Sequence, residues 1–75
     1  MKKITLLQMK SKHKGVVAEI EGGSGLQNRL MSMGIYPGKE ITKLSHFALR
    51  GPVTVKAGRA VIALGHGVAG KIIIK

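Results

Sequence analysis

The stretch GGSGLQNRLMSMGIYPG, which runs from Gly22 to Gly38, decides the fold of this chain. It predicts one short helix with a defined start. The hydroxyl of Ser24 is expected to cap the N-terminus, and Gln27 stands three residues later, where a capping box has Glu or Gln. Apolar residues then recur at i, i+4 and i+7 and so share one face of the helix: Leu26, Leu30 and Met33.

The end of the same helix is fixed by a glycine and a proline. Gly34 fits the left-handed position just beyond the helix, where a side chain would be penalised. Ile35 is then expected to lie over Leu30, the apolar contact of a Schellman end. Pro37 prevents the helix from resuming, and Gly38 allows the chain to turn. A single helix with two defined ends, in a chain otherwise composed of strands, is compatible with few folds.

Length and composition indicate a small single domain that works without cysteine chemistry. The 75 residues form one domain, 1–75, and a domain of this size buries only about 60% of the surface of its unfolded chain. A deep catalytic cleft does not fit within it. The absence of cysteine excludes disulfides, thiolate-bound zinc and iron–sulfur clusters. The apolar run after Lys3 is too short for a secretory signal or a membrane span, so we expect a cytoplasmic protein.

The net charge predicts an anionic partner. Thirteen lysines and arginines oppose three acidic residues, which gives a formal net charge of +10. A field of this sign attracts nucleic acid, anionic lipid or an acidic protein surface. Individual basic residues are as readily solubilising surface charges. Five of the lysines lie within the first fourteen residues: Lys2, Lys3, Lys10, Lys12 and Lys14.

The pattern along the chain predicts a small barrel with a helix inserted near its start. The expected order is strand, strand, helix and then four short strands, with one helical turn before the last. Strands are expected over 4–6, 15–21, 39–44, 53–55, 60–64 and 71–75, with a hairpin turn at Gly58. Five or six short strands do not suffice for a two-sheet sandwich, whereas a closed barrel leaves the fewest exposed edges. The predicted fold class is mainly β: a small SH3-like barrel of five to six strands with one inserted α-helix.

Periodicity also predicts the core, with one irregularity. Ile41 is in phase with Lys43 rather than with Leu44, which indicates either a β-bulge or a lysine that buries its stem and frees its head. Met31 falls off the helix stripe and Phe47 stands beside a predicted turn over 48–52, so each either completes the core or forms an exposed apolar patch. The predicted core residues are Leu6, Val17, Ile20, Leu26, Leu30, Met33, Ile35, Ile41, Val53, Val55, Ile62, Leu64, Ile72 and Ile74.

The residues that usually carry catalysis or metal binding are sparse, so we expect no enzyme, no cofactor and no metal site. The chain has no aspartate, and Glu19 and Glu21 are interpreted as solvent-facing neighbours on a strand rather than as an acid–base pair. His13, His46 and His66 lack the i+2 or i+4 partner that marks a metal site. His66 stands between two glycines and is assigned to a mobile loop.

Two further binding signals are weak. Glycines at 22, 23 and 25 precede the helix, but they lack the Gly-Lys-Ser/Thr ending of a P-loop and are interpreted as a tight turn. Nucleic acid is the natural partner to consider at this charge, yet only Tyr36 and Phe47 offer rings for stacking. Non-specific affinity at low salt is expected, whereas nucleic acid is not the expected partner.

Taken together, these motifs resemble the FeoA family, the small cytosolic proteins of the bacterial ferrous iron transport system. The resemblance runs from about Thr5 to Lys75. The stretch RLMSMGIYPG, residues 29–38, is similar to the family's Arg-Leu-x-x-Met-Gly-(Ile/Leu)-x-Pro-Gly, and GPVTV at 51–55 and IAL at 62–64 follow at family-like spacing. Ala69 and Ile72 match the closing Ala-x-x-Ile. The sequence departs at Lys12, where the family often has glycine, and in its positive charge.

The resemblance implies an SH3-like barrel and a non-catalytic role at a membrane permease. Family members are thought to act on the cytosolic GTPase domain of the permease that moves Fe²⁺ inward, and the charge adds a possible contact with the anionic inner leaflet. Two alternatives stay open: a small basic nucleic-acid-binding barrel, or a metal-responsive regulatory module. The sequence carries no signal for an oligomeric state. The residues expected to bind the partner are Gln27, Asn28, Arg29, Met31, Ser32 and Tyr36.

Overall fold

Six strands and two short helices make up the part of the chain that the structure describes. The computed structural model describes residues 3–46 and 51–75. The order of the elements, including a helical turn before the last strand, is the predicted one. In chain order they are β1 (Ile4–Thr5), β2 (Lys14–Ile20), α1 (Ser24–Ser32), β3 (Glu40–His46), β4 (Val53–Ala57), β5 (Ala60–Leu64), α2 (His66–Ala69) and β6 (Ile72–Ile74).

The strands form one antiparallel sheet in the order β1-β6-β2-β3-β4-β5. The mainly β architecture with an inserted helix is thereby confirmed. Among the described residues β1 and β5 are the two ends of this order, so the sheet is open along the seam between them rather than closed by a further strand pairing. A register shift between Val17 and Glu19 interrupts β2. Because of this bulge, Val17 and Ile20 are both buried although they have opposite phases in a regular strand.

The core contains most of the predicted residues and three further apolar residues. Leu26, Met33 and Ile62 are only partly buried and pack against the core, whereas the other predicted core residues are buried. The additional buried apolar residues are Met9, Ala57 and Ala69. Met9 lies in a loop and Ala69 in a helix of four residues, where no period can be read. Ala57 continues the alternation of Val53 and Val55, and the prediction omits it because the expected strand ends at residue 55.

The side chain of Lys43, on β3, differs from the prediction. The expected bulge is present, as a register shift between Lys43 and Ser45. The expectation that the lysine frees its head is wrong, since only 2% of the residue is exposed. Its ammonium is retained inside because backbone carbonyl groups of the segment after β1 accept its hydrogen bonds.

The N-terminus of α1 also differs from the prediction. Gly23, not Ser24, is the N-cap residue, and no side chain caps the helix. Gln27 does not complete a capping box; its Nε2 donates a hydrogen bond to the carbonyl oxygen of Gly22, 3.2 Å away. The interpretation of the glycines as a tight turn agrees with the backbone, because Gly22 has a φ of 125°.

Of the predicted turn at Gly58 and the predicted loop at His66, the first is present and the second is a short helix. The hairpin turn is confirmed, with Gly58 at a φ of 63°. His66 is the first residue of α2 and is partly buried, so its assignment to a mobile loop is wrong. Phe47 and the first part of the turn predicted over 48–52 lie outside the described residues.

Candidate functional site

The six residues predicted to bind a partner lie on α1 and in the turn that follows it. All six are exposed: Gln27, Asn28, Arg29, Met31, Ser32 and Tyr36. Met31 exposes 56% of its surface and Tyr36 exposes 39%. The structure therefore places Met31 on the surface rather than in the core. The helix carries the first five residues of this set, and the turn carries the sixth.

A Schellman end fixes where the turn leaves α1. Gly34 has a φ of 90°, in the left-handed region. Its N–H donates to the carbonyl oxygen of Met31, and the N–H of Ile35 donates to that of Leu30, each over 2.9 Å. Leu30 and Ile35 are both buried in the same core. The backbone thus determines the position of Tyr36, which follows directly in the chain.

Two of the six residues also stabilise the helix. The Ser32 hydroxyl donates to the carbonyl oxygen of Arg29 over 2.7 Å. Gln27 donates to Gly22, as described above. Arg29 lies in the last turn of α1, where the negative end of the helix dipole favours a cation. The side chains best placed to meet another molecule are therefore those of Arg29, Met31 and Tyr36.

A cleft that the sequence does not reveal borders α1. It has a volume of about 250 Å³ and separates the helix from the end of β5 and from α2. Arg29 is the one charged residue of its lining, so the cleft is an apolar slot with a cation beside it. We call it the α1 cleft; its lining residues are Leu26, Arg29, Leu30, Met33, Ala63, Leu64, Gly65 and Val68. The helical stripe predicts the first wall, but the second wall comes from a distant part of the sequence and carries no comparable signal.

The second wall of the α1 cleft belongs to a strand at the end of the sheet. β5 pairs with β4 along its whole length and, among the described residues, with no other strand. Val61 on β5 exposes 63% of its surface. The outer edge of such a strand presents unpaired backbone N–H and C=O groups. An apolar cleft beside such an edge is suited to an extended segment of another chain.

The ammonium group of Lys43 is bound inside the molecule and is not part of the partner surface on α1. Its Nζ lies 3.0 Å from the carbonyl oxygen of Leu6, 3.1 Å from that of Leu7 and 2.6 Å from that of Met9. It also lies 3.3 Å from Nδ1 of His46. Desolvation by burial lowers the pKa of Lys43 below its ordinary value of 10.5, because it disfavours the charged ammonium.

Two of the histidines approach each other in the fold. The ring centroids of His46 and His66 are 6.2 Å apart. His46 Nε2 and His66 Nδ1 are buried and lack a hydrogen-bond partner among the described atoms. This pair could contact a metal ion, but the Lys43 ammonium beside His46 opposes a second cation. Within residues 3–46 and 51–75, no three residues of the types His, Cys, Asp and Glu come together in a way that could hold a metal ion.

Neither helix of the described part of the chain is long and apolar enough to cross a membrane. The chain instead matches a family of small proteins along nearly its whole length: the family model described as the FeoA domain matches residues 4–75. The chain belongs to the FeoA family. The stretch RLMSMGIYPG, on which the resemblance mainly rests, is the Schellman end of α1 and the turn after it.

Relatives of this FeoA-family chain agree in sequence and in structure. A Methanocaldococcus jannaschii protein, named as a candidate Fe(2+) transport protein A, is 35% identical over 60 residues, which are 80% of this chain and 71% of that protein. The crystal structure of an iron uptake regulatory protein, FeoA, is 32% identical and covers 100% of this chain and 97% of its own, with a TM-score of 0.87.

A third comparison names the fold. A Stenotrophomonas maltophilia FeoA crystallised with zinc, described as an SH3 domain protein, has a TM-score of 0.80 and covers 96% of this chain and 89% of its own. Its identity of 20% supports the fold alone. The SH3-like fold is confirmed, and this FeoA-family chain is an accessory protein of ferrous iron transport.

Proposed function

We propose that this FeoA-family chain is a non-enzymatic cytosolic adaptor that binds the GTPase-bearing cytosolic domain of a ferrous iron permease and modulates it. The observation that carries the proposal is the exposure of Met31 on α1 and of Tyr36 in the turn after it, on the same segment that places Arg29 in the lining of the α1 cleft. Methionine, tyrosine and arginine are enriched in protein interfaces. Family membership supports the transport context, and this surface supports the place of contact.

The geometry and charge of this surface suit an acidic protein partner. The α1 cleft can receive an apolar side chain of the partner, while the Arg29 guanidinium meets a carboxylate at its side. The net charge of +10 accelerates the encounter with an acidic surface, and this acceleration weakens as salt is added. The apolar contact in the cleft would then limit dissociation.

A titration of the isotopically labelled chain with the isolated GTPase domain tests the proposal. At about 150 mM salt, where distant surface charges are largely screened, we expect saturable NMR shifts on α1 and at Tyr36. Met31→Ser and Arg29→Ala should each weaken binding by about tenfold, which is about 1.4 kcal/mol. Arg59→Ala is the matched control for Arg29→Ala, since it removes the same residue type at an exposed position of the hairpin between β4 and β5.

The outcomes separate this proposal from its alternatives. Equal loss of affinity in Arg29→Ala and Arg59→Ala would contradict the assigned surface. Unfolding of the Met31 or Arg29 variant would assign that residue to structure instead. Binding of an oligonucleotide that survives about 200 mM salt, together with no shifts from the GTPase domain, would favour the nucleic-acid alternative. The rate of GTP hydrolysis with and without the chain measures the modulation.

Recruitment to the inner membrane face is an addition to the same proposal. Basic residues attract anionic lipid headgroups by about 1 kcal/mol each near the surface. Co-sedimentation with phosphatidylserine vesicles should therefore exceed that with neutral vesicles and fall with added salt. Equal sedimentation with both kinds of vesicle would remove the membrane contact from the proposal.

A further inference from the structure

A second groove lies where β1, β2 and β6 meet, and it shares no lining residue with the α1 cleft. It has a volume of about 410 Å³. We call it the basic groove; its lining residues are Ile4, Gln8, Met9, Lys10, His13, Lys14, Ile74 and Lys75. Its lining combines apolar and basic side chains and contains no acidic residue.

The apolar part of the basic groove is anchored in the sheet and the core. Ile4 pairs with Ile74 across β1 and β6. Met9 and Ile74 are buried, with 5% and 4% of their surfaces exposed. Gly15 lies directly against them: a Cβ at this position would overlap Ile74 Cγ2 and approach the Met9 Cε to 3.4 Å. Main chain and apolar side chains are thus closely packed here, so this part of the groove is preformed.

The rim of the basic groove carries concentrated positive charge. Lys10, His13 and Lys14 are exposed and line it, and Lys12 belongs to the same short segment. Lys75 is also exposed and lines the groove at its other side. In the described part of the chain, a salt bridge joins Lys3 Nζ to Glu19 Oε1 over 3.8 Å. No carboxylate forms a salt bridge with the described residues 10–14.

The wall of the basic groove is held by the buried ammonium of Lys43. This ammonium binds the carbonyl oxygens of Leu6, Leu7 and Met9, just before the rim. The main chain of the same residue extends the attachment: Lys12 N–H donates to the Lys43 carbonyl oxygen over 2.6 Å, and Lys43 N–H donates to the His13 carbonyl oxygen over 3.0 Å. A fixed wall lowers the entropy that a ligand must lose on binding.

These features select an acidic peptide as the occupant. Single-stranded nucleic acid is usually held on aromatic side chains, and the lining of the basic groove has none. The groove is large enough for one or two apolar side chains, and methionine adapts to their shape. Carboxylates beside those side chains would then face Lys10 and Lys14.

We propose that the basic groove is a second docking site, which binds an acidic peptide segment carrying one or two aliphatic side chains. The aliphatic side chains lie against Ile4, Met9 and Ile74, and the carboxylates pair with Lys10 and Lys14. Because its residues differ from those of the α1 cleft, the site would let the chain hold two segments at once. It goes beyond the proposed function and is tested without the GTPase domain.

The first test is an NMR titration of the full chain with a defined peptide. The probe is the nonapeptide Glu-Asp-Glu-Leu-Glu-Ile-Glu-Asp-Glu, and the control peptide has serine in place of its leucine and isoleucine. At about 150 mM salt the probe should shift signals of Met9, His13 and Ile74, while the control peptide binds at least about tenfold more weakly. Equal affinity for the two peptides would overturn the proposal, because charge alone would then explain binding.

Charge-reversal variants provide the second test. The double variant Lys10→Glu, Lys14→Glu should lose at least about tenfold in affinity for the probe, since like charges repel it. The double variant Lys56→Glu, Lys71→Glu changes the net charge equally at exposed positions outside the groove and should retain most of the affinity. Equal loss in both variants would overturn the proposal. Shifts of the groove residues with phosphatidylserine vesicles but not with the probe would also overturn it and assign the groove to the membrane.

Discussion

The Nζ of Lys43 lies 2.6 Å from the carbonyl oxygen of Met9, inside the molecule. Leu6 and Leu7 contribute two more carbonyl oxygens to the same ammonium. A buried charge is tolerated only when it is hydrogen-bonded, and buried carbonyl groups likewise need donors. The loop between β1 and β2 and the side chain of Lys43 therefore depend on each other. Through this contact the middle of β3 controls the shape of the basic groove.

Lys43→Met is expected to lower the free energy of unfolding by about 1–3 kcal/mol. The substitution keeps an unbranched side chain but leaves the carbonyl groups without their donor. Urea denaturation measures the change. Lys56→Met is the matched control on β4, where the lysine is exposed, and should stay within about 0.5 kcal/mol. Unchanged or higher stability of the Lys43 variant would show that desolvation of the ammonium costs as much as its bonds contribute.

The same lysine should make stability depend on pH. Burial lowers the pKa of Lys43 below 10.5, so between the lowered value and 10.5 the native state binds fewer protons than the unfolded chain. The contribution of Lys43 to stability therefore rises with pH through this window and is lost as pH falls through the lowered pKa. Relative to Lys43→Met, the unsubstituted chain should gain stability as the pH rises toward 10.5. A difference in stability between the two chains that stays constant with pH would contradict the lowered pKa of Lys43.

Lys12→Gly should stabilise the chain, by up to about 1 kcal/mol. Lys12 has a φ of 68°, in the left-handed region, where a non-glycine residue is strained by about 1–2 kcal/mol. Glycine removes the strain but increases the entropy of the unfolded chain, which offsets part of the gain. Lys10→Gly in the same loop brings only the entropic loss and should destabilise. Thermal unfolding of both variants is the measurement. A loss of stability in both variants would contradict the presence of backbone strain at Lys12.

Two glycines of the helix region should respond to alanine in opposite directions. Gly34→Ala is expected to cost about 1–2 kcal/mol, because the Schellman end needs a positive φ there. Gly25→Ala, inside α1, should gain about 0.5–1 kcal/mol from helix propensity. At both positions an added Cβ meets no atom within 4 Å, so conformation alone sets the sign. Urea denaturation of the pair is the measurement, and equal signs would contradict the argument.

Much of the candidate site could be predicted because it depends on local sequence. Gly34 and Pro37 end α1 through their own backbone preferences, and the exposure of Arg29 and Tyr36 follows from where the helix ends. The opposite wall of the α1 cleft could not be predicted. It consists of Ala63, Leu64, Gly65 and Val68, which reach α1 only through the folding of β5 and α2.

The sequence by itself determined the order of the elements along the chain, the position of α1 and the exposure of its outer face, since turn residues and periodicity act over a few neighbours. Only the tertiary structure decided that Val17 and Ile20 are both buried, that Lys43 keeps its charge inside, and that the segment 10–14 forms the rim of a groove. Each of these depends on a bulge or a hydrogen bond between strands far apart in the chain. Burial of Lys43 is favourable only once the carbonyl groups after β1 surround its ammonium, and no local pattern encodes that arrangement.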